Sequence, residues 1–96
     1  MDKIKLKKHA ILLEEVISSN LGRSVDVDFL ASYDPLLSAI NDAKKGLISS
    51  PLNIGLSRWE LESGIRSVKD VSHRLAQFGL LLEGWDLPSD RGNGSE

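Results

Sequence analysis

Residues 57–84 read SRWELESGIRSVKDVSHRLAQFGLLLEG, and two helical interpretations compete for them. Ser57 with Glu60, and Ser67 with Asp70, both have the spacing of a capping box, which predicts a short helix, a break at Gly64 and a second helix from residue 68. Against this, Leu61, Ile65, Val68, Val71, Leu75, Phe78 and Leu82 recur at intervals of three and four, one apolar stripe running straight through the glycine. Glycine in a helix interior costs about 1 kcal/mol relative to alanine, less than a row of aligned core contacts returns. The stripe is the stronger signal and predicts one continuous helix over 58–83, with Gly84 as its stop and Trp85 folding back on Leu80 or Leu81. Such a rod is roughly 39 Å long at 1.5 Å per residue. That far exceeds the ~12–13 Å radius of gyration expected of a chain this short, so it becomes the spine on which the rest packs.

Three shorter elements lie upstream. Residues 3–20 carry Ile4, Leu6, Ile11, Leu12, Leu13, Val16 and Ile17 at helical intervals, the stripe ending in Leu21, with Asp2 as N-cap and Asn20 and Gly22 as terminators. Residues 24–30 alternate like a strand, but no second alternating run exists to pair with them. A short helix over 25–31 is therefore predicted, capped by Ser24, with Asp26 and Asp28 in the first turn where the helix dipole favours negative charge. Asp34 as N-cap, Pro35 at the first helical position and Gly46 after the last turn mark a helix over 35–45, burying Leu36, Leu37, Ile40 and Ala43. Residues 46–56 form an apolar loop that packs on the core or on a partner. Residues 89–96 hold no large apolar side chain and are expected to form a flexible tail behind a single helical domain, 1–88. The fold class is all-α: a compact bundle of three to four helices with one long C-terminal helix.

Composition agrees with one folded domain. The chain has 96 residues, and Leu, Ile, Val and Phe make up 30 of them, too many for a disordered chain and too few residues overall for two cores. There is no cysteine, which excludes disulfides, thiol catalysis and thiolate metal sites and favours a reducing, cytoplasmic location. No membrane span or export signal is visible, because Glu14 and Glu15 interrupt the first apolar run.

Charge is unevenly spread. Lys3, Lys5, Lys7 and Lys8 face only Asp2 in residues 1–9, a surplus of three positive charges, whereas the remainder holds 8 basic and 13 acidic residues. Four lysines are a thin basic patch, and solvation of a helix start accounts for them, so nucleic-acid binding ranks third among the readings.

No catalytic set emerges. Asp70 and His73 share a helical face, yet no nucleophile stands in a glycine-flanked elbow, and a surface group with Arg74 explains them. They would gain catalytic meaning only in a concave pocket with a carboxylate from another helix. The acid pairs Glu14/Glu15, Asp26/Asp28 and Glu60/Glu62 carry no sign of the unlike environments that acid–base chemistry needs. No phosphate-cradling glycine pattern or metal-ligand spacing occurs, so no enzyme, metal or cofactor is predicted.

What remains is binding. Tryptophan and arginine concentrate binding energy at interfaces, and an acidic surface speeds encounter with a basic one. The expected function is a small acidic protein-binding module, in its narrowest form an immunity or antitoxin-type inhibitor covering a basic site on a partner protein. Asp26, Asp28, Arg58, Trp59, Glu60 and Glu62 are its expected contact residues, although Trp59 and Trp85 serve equally well as closures of the bundle ends. The alternative is a self-associating assembly subunit, a homodimer paired through 46–56 and the 58–83 stripe.

Overall fold

The structure, a computed structural model, describes residues 2–85; the expected tail 89–96 lies outside them. The helices are α1 (Lys3–Ser19), α2 (Val25–Leu30), α3 (Asp34–Lys44), α4 (Ser57–Glu62) and α5 (Lys69–Leu82), with a 3-10 turn at Ile65–Ser67 between the last two. No strand occurs among the described residues, and the fold is an all-α bundle.

Local capping chemistry sets most boundaries. Asp2 accepts hydrogen bonds from the Ile4 and Lys5 amides at 3.0 Å each, and Ser24 accepts one from Asp26 at 3.1 Å, so α1 and α2 begin where their caps predict. Helix α3 starts one residue earlier than expected. Tyr33 holds its cap position, leaving Asp34 and Pro35 inside the first turn, where an acid and a missing N–H both suit the dipole and the orphan donors. At the end of α5, Gly84 adopts φ +90, the Trp85 amide donates to the Leu80 carbonyl at 2.9 Å and the Gly84 amide to that of Leu81 at 3.1 Å. This pair of bonds closes the helix, while the Trp85 ring stays largely in solvent.

The continuous 58–83 rod does not form. The chain leaves helical geometry at Ser63–Gly64, makes the 3-10 turn, and re-enters a helix only at Lys69. Local oxygens compete for the backbone groups a rod would have paired. The Asp26 carboxylate accepts the Gly64 amide at 3.0 Å, the Ser67 hydroxyl donates to the Gly64 carbonyl at 2.7 Å, and the Ser63 hydroxyl accepts the Ile65 amide at 3.3 Å. The cap positions differ from those expected: Leu56 holds that of α4 and Val68, rather than Ser67, that of α5, the latter without a side-chain bond. A 39 Å rod would also have outrun the molecule, whose longest extent is 37 Å.

The break moves the spine. Helix α1 packs along both α3 and α5, presenting Leu6, Ala10, Leu13 and Ile17 at intervals of four, three and four. Ile4 and Leu21, expected in that stripe, are exposed, and so is Leu37 on α3, with Ala39 buried beside Leu36, Ile40 and Ala43. From the C-terminal stripe, Ile65, Val71, Leu75, Phe78 and Leu82 are fully enclosed and Val68 half-buried, but Leu61 is 70% exposed because α4 turned away with the break. The 47–56 segment packs in part: Ile48 and Leu56 are buried and the Leu52 amide donates to the Leu82 carbonyl at 2.8 Å, while Leu47 and Leu52 keep much of their surface in water.

Candidate protein-docking face

Helix α2 has six residues, enough to bury Val27 and Leu30 but not the whole of its apolar content. Val25 and Phe29, one turn apart, are therefore left on its outer side, 82% and 40% exposed. Phe29 is the centre of an aromatic row. Its ring stacks on Tyr33 with centroids 5.3 Å apart and on Trp59 at 5.1 Å, with interplanar angles of 29° and 28°. The Tyr33 hydroxyl donates to the Ile54 carbonyl at 2.9 Å, which ties the row to the loop entering α4. Trp59 is half-buried, and Leu61 projects from the same short helix.

The six expected contact residues divide among different duties. Asp26 is committed to the Gly64 amide, and Asp28 accepts the Gly22 amide at 2.9 Å, holding the turn between α1 and α2. Arg58 and Glu62 pair across one turn of α4 at 2.8 Å in full view of solvent. Glu60 lines a cavity of about 30 Å³ together with Leu52, Asn53, Ile54, Leu56, Leu75, Gly79, Leu82 and Glu83, and also an outer groove with Leu61 and Arg66. Burial there raises its carboxyl above the ordinary carboxylate range, and the charge of Glu83 adds to the effect. Trp59, Asp26, Arg58 and Glu62 thus share the α2–α4 side, Asp28 marks its edge, and Glu60 lies behind it. Phe29 and Val25 complete the face, whereas Leu61, two residues on from Trp59, turns to another side of α4, where it lines a groove with Arg66, Ser72 and Ala76. Sequence spacing could have raised the first two: apolar residues four apart on a helix too short to enclose both.

Charge is more even than the chain total suggests. Residues 2–85 carry as many basic as acidic side chains, and the surplus of two negative charges comes from Asp86, Asp90 and Glu96 against Arg91, outside the described residues. The N-terminal lysines fall into two pairs on different sides of α1 rather than one stripe: at roughly 100° per residue Lys3 lies near Lys7, and Lys5 near Lys8.

Two other grooves stand out. Between α1 and α5, Leu12, Glu15, Val16, Ser19, Asp70, His73 and Arg74 line a groove of about 420 Å³. Asp70 and His73 therefore do meet a carboxylate from another helix. All three titratable side chains are exposed, and the Ser19 hydroxyl donates to the Glu15 carbonyl at 2.9 Å. Among the described residues no three metal-ligating side chains come together. Between α1 and α3, Ile17, Leu21, Ala31, Leu37 and Ile40 line a groove of about 400 Å³ together with Glu14, which pairs with Lys44 at 2.9 Å.

Among the described residues, no helix is long and apolar enough to cross a membrane. Comparison with protein-family models, with curated proteins and with solved structures finds no match for this chain.

Proposed function

We propose that this chain is a small protein-binding module whose contact face is the α2–α4 side. The observation that carries the reading is the Tyr33–Phe29–Trp59 row, rigid aromatic surface with Val25 exposed beside it, one turn before Phe29. Aromatic anchors in a fixed geometry lose little side-chain entropy on docking, which is why binding energy concentrates on them. Glu62, Arg58 and Asp28 form a polar rim, and the acids of that rim favour a partner with a basic surface. In its narrowest form the module is an immunity or antitoxin-type inhibitor, working in the cytoplasm by covering a basic cleft. The even charge of residues 2–85 puts the weight on the aromatic row rather than on the acidic balance.

The test is a partner captured on the immobilised chain, identified and purified alone, with association followed by stopped flow. Replacing Glu62 and Asp28 by lysine slows association roughly tenfold at low salt and less at high salt. Trp59→Ala speeds dissociation. An unchanged association rate refutes the basic partner, and unchanged dissociation on loss of Trp59 refutes the face. Self-association is the second reading, favoured by the exposed Leu47 and Leu52 of the 47–56 loop. The α5 stripe is spent inside the single copy, so that loop is the surface left to pair. Sedimentation at micromolar concentration separates the two readings, a dimer favouring the second.

A further inference from the structure

Helix α4 is fastened to the body at few points. It is one and a half turns long, lacks a side-chain cap at either end, and is bounded by Gly55, with φ +74, and by the Ser63–Gly64 break. Among the described residues it is held by the Trp59 ring, packed on Phe29 and on the core, by the Asp26–Gly64 hydrogen bond and by the buried Leu56 that begins it. On its inner side Glu60 faces Glu83, from the end of α5, across the small cavity walled by Leu56, Leu75 and Leu82.

We propose that α4 is a hinged flap whose closure over the end of α5 is controlled by protonation of the Glu60–Glu83 pair. Two ionised carboxylates around one apolar cavity repel each other, and each loses water when the flap closes, so the doubly charged pair favours the open flap. One proton on the pair removes the repulsion and lets Glu60 sit against the leucines. The raised proton affinity of Glu60 agrees with this geometry. The other groups facing Glu60 are accounted for. Arg66 of the 3-10 turn shares the outer groove with Glu60 and Leu61 but makes no ion pair with Glu60 among the described residues, and Asn53 of the loop does not titrate. On α4 itself, Arg58 and Glu62 neutralise one another, and Asp26 from α2 is bonded to Gly64.

Because the flap carries Trp59, its closure would regulate the proposed docking face, and that consequence rests on the functional reading above. The test is made on the free chain and is independent of any partner. Amide hydrogen exchange is measured from pH 4 to pH 8 as protection factors, which remove the intrinsic pH dependence of exchange. The amides of Glu60, Ser63 and Gly64, bonded to Leu56, Trp59 and Asp26, report the flap, and those inside α5 report the body. Protection of the three flap amides should fall several-fold as pH rises while α5 stays constant. Glu60→Gln should hold protection high throughout, and Glu83→Gln, on an exposed residue at the cavity's edge, should flatten the profile while leaving its leucines in place. In Trp85→Phe chain, Trp59 emission should shift to longer wavelength over the same range. Flap protection independent of pH overturns the proposal, as does a fall shared equally by α5 or one retained in both glutamine variants.

Discussion

The Gly64 amide donates to the Asp26 carboxylate at 3.0 Å across 38 residues of sequence, and a Cβ built on Gly64 would lie 2.9 Å from that same oxygen. One contact therefore fixes both the break between α4 and α5 and the angle at which α4 meets α2. Glycine is needed for the approach itself, since its φ of −86 is open to any residue.

Gly64→Ala should push Asp26 away and lose the bond, and Asp26→Ala should lose it without crowding. The hydrogen bond is solvent-exposed, so each change should lower unfolding free energy by about 1 kcal/mol, read from urea denaturation. The two losses should not add, because they remove the same interaction. A double variant as unstable as the sum of the singles would mean that the two residues act separately.

Phe29 links two elements through ring contacts while leaving part of its surface in water. Phe29→Ala should cost about 1–2 kcal/mol, below the toll of an enclosed phenylalanine, because it removes two stacked pairs but only partial burial. Phe78, with no exposed surface, is the comparison: Phe78→Ala should cost about 3–5 kcal/mol through lost transfer energy and the cavity left behind. Calorimetry of the two variants should keep that order.

Where the backbone answered to neighbours two to four residues away, local sequence carried the structure. Asp2 and Ser24 cap the helices they precede, and Gly46 and Gly84 stop those they follow. The stripe from Leu61 to Leu82 misled because periodicity assumes that one rod carries every apolar residue. What overruled it was Asp26, an oxygen from a distant helix, joined by Ser63 and Ser67 taking up backbone groups at the break. The candidate face was half legible for the same reason. Trp59 announces itself by type, whereas Phe29 became part of the face only once α4 folded back onto α2, and Asp26 and Asp28 resembled free surface acids until their amide partners came into position.

Glu60 ties stability to pH with a definite sign. Burial, reinforced by Glu83, raises its carboxyl in the folded chain above its unfolded value, so the folded state binds the proton more tightly. Its contribution is complete below the unfolded value, near 4.5, and is lost as pH rises through the raised one. Glu60→Gln should therefore raise Tm at pH 7 to 8 and leave it close to that of the parent chain at pH 4. Thermal unfolding across that range checks it, and a gain equal at both ends would show that the carboxyl's charge is not the cause.

Val25 separates docking from folding. It stands 82% exposed on α2, one turn before Phe29, so Val25→Gln introduces a good helix former and gives up little buried area. Unfolding free energy should stay within about 0.5 kcal/mol of the parent, as for substitutions away from the core. The same change strips an exposed apolar side chain from the proposed face, so affinity for a purified partner should fall roughly tenfold, the equivalent of about 1.4 kcal/mol. Loss of stability would mean that Val25 is enclosed in the folded chain and that α2 packs differently. Full stability with full affinity would move the contact face off the Phe29 row, to the Leu47–Leu52 loop or the α1–α3 groove, where Leu52→Gln and Leu37→Gln repeat the measurement.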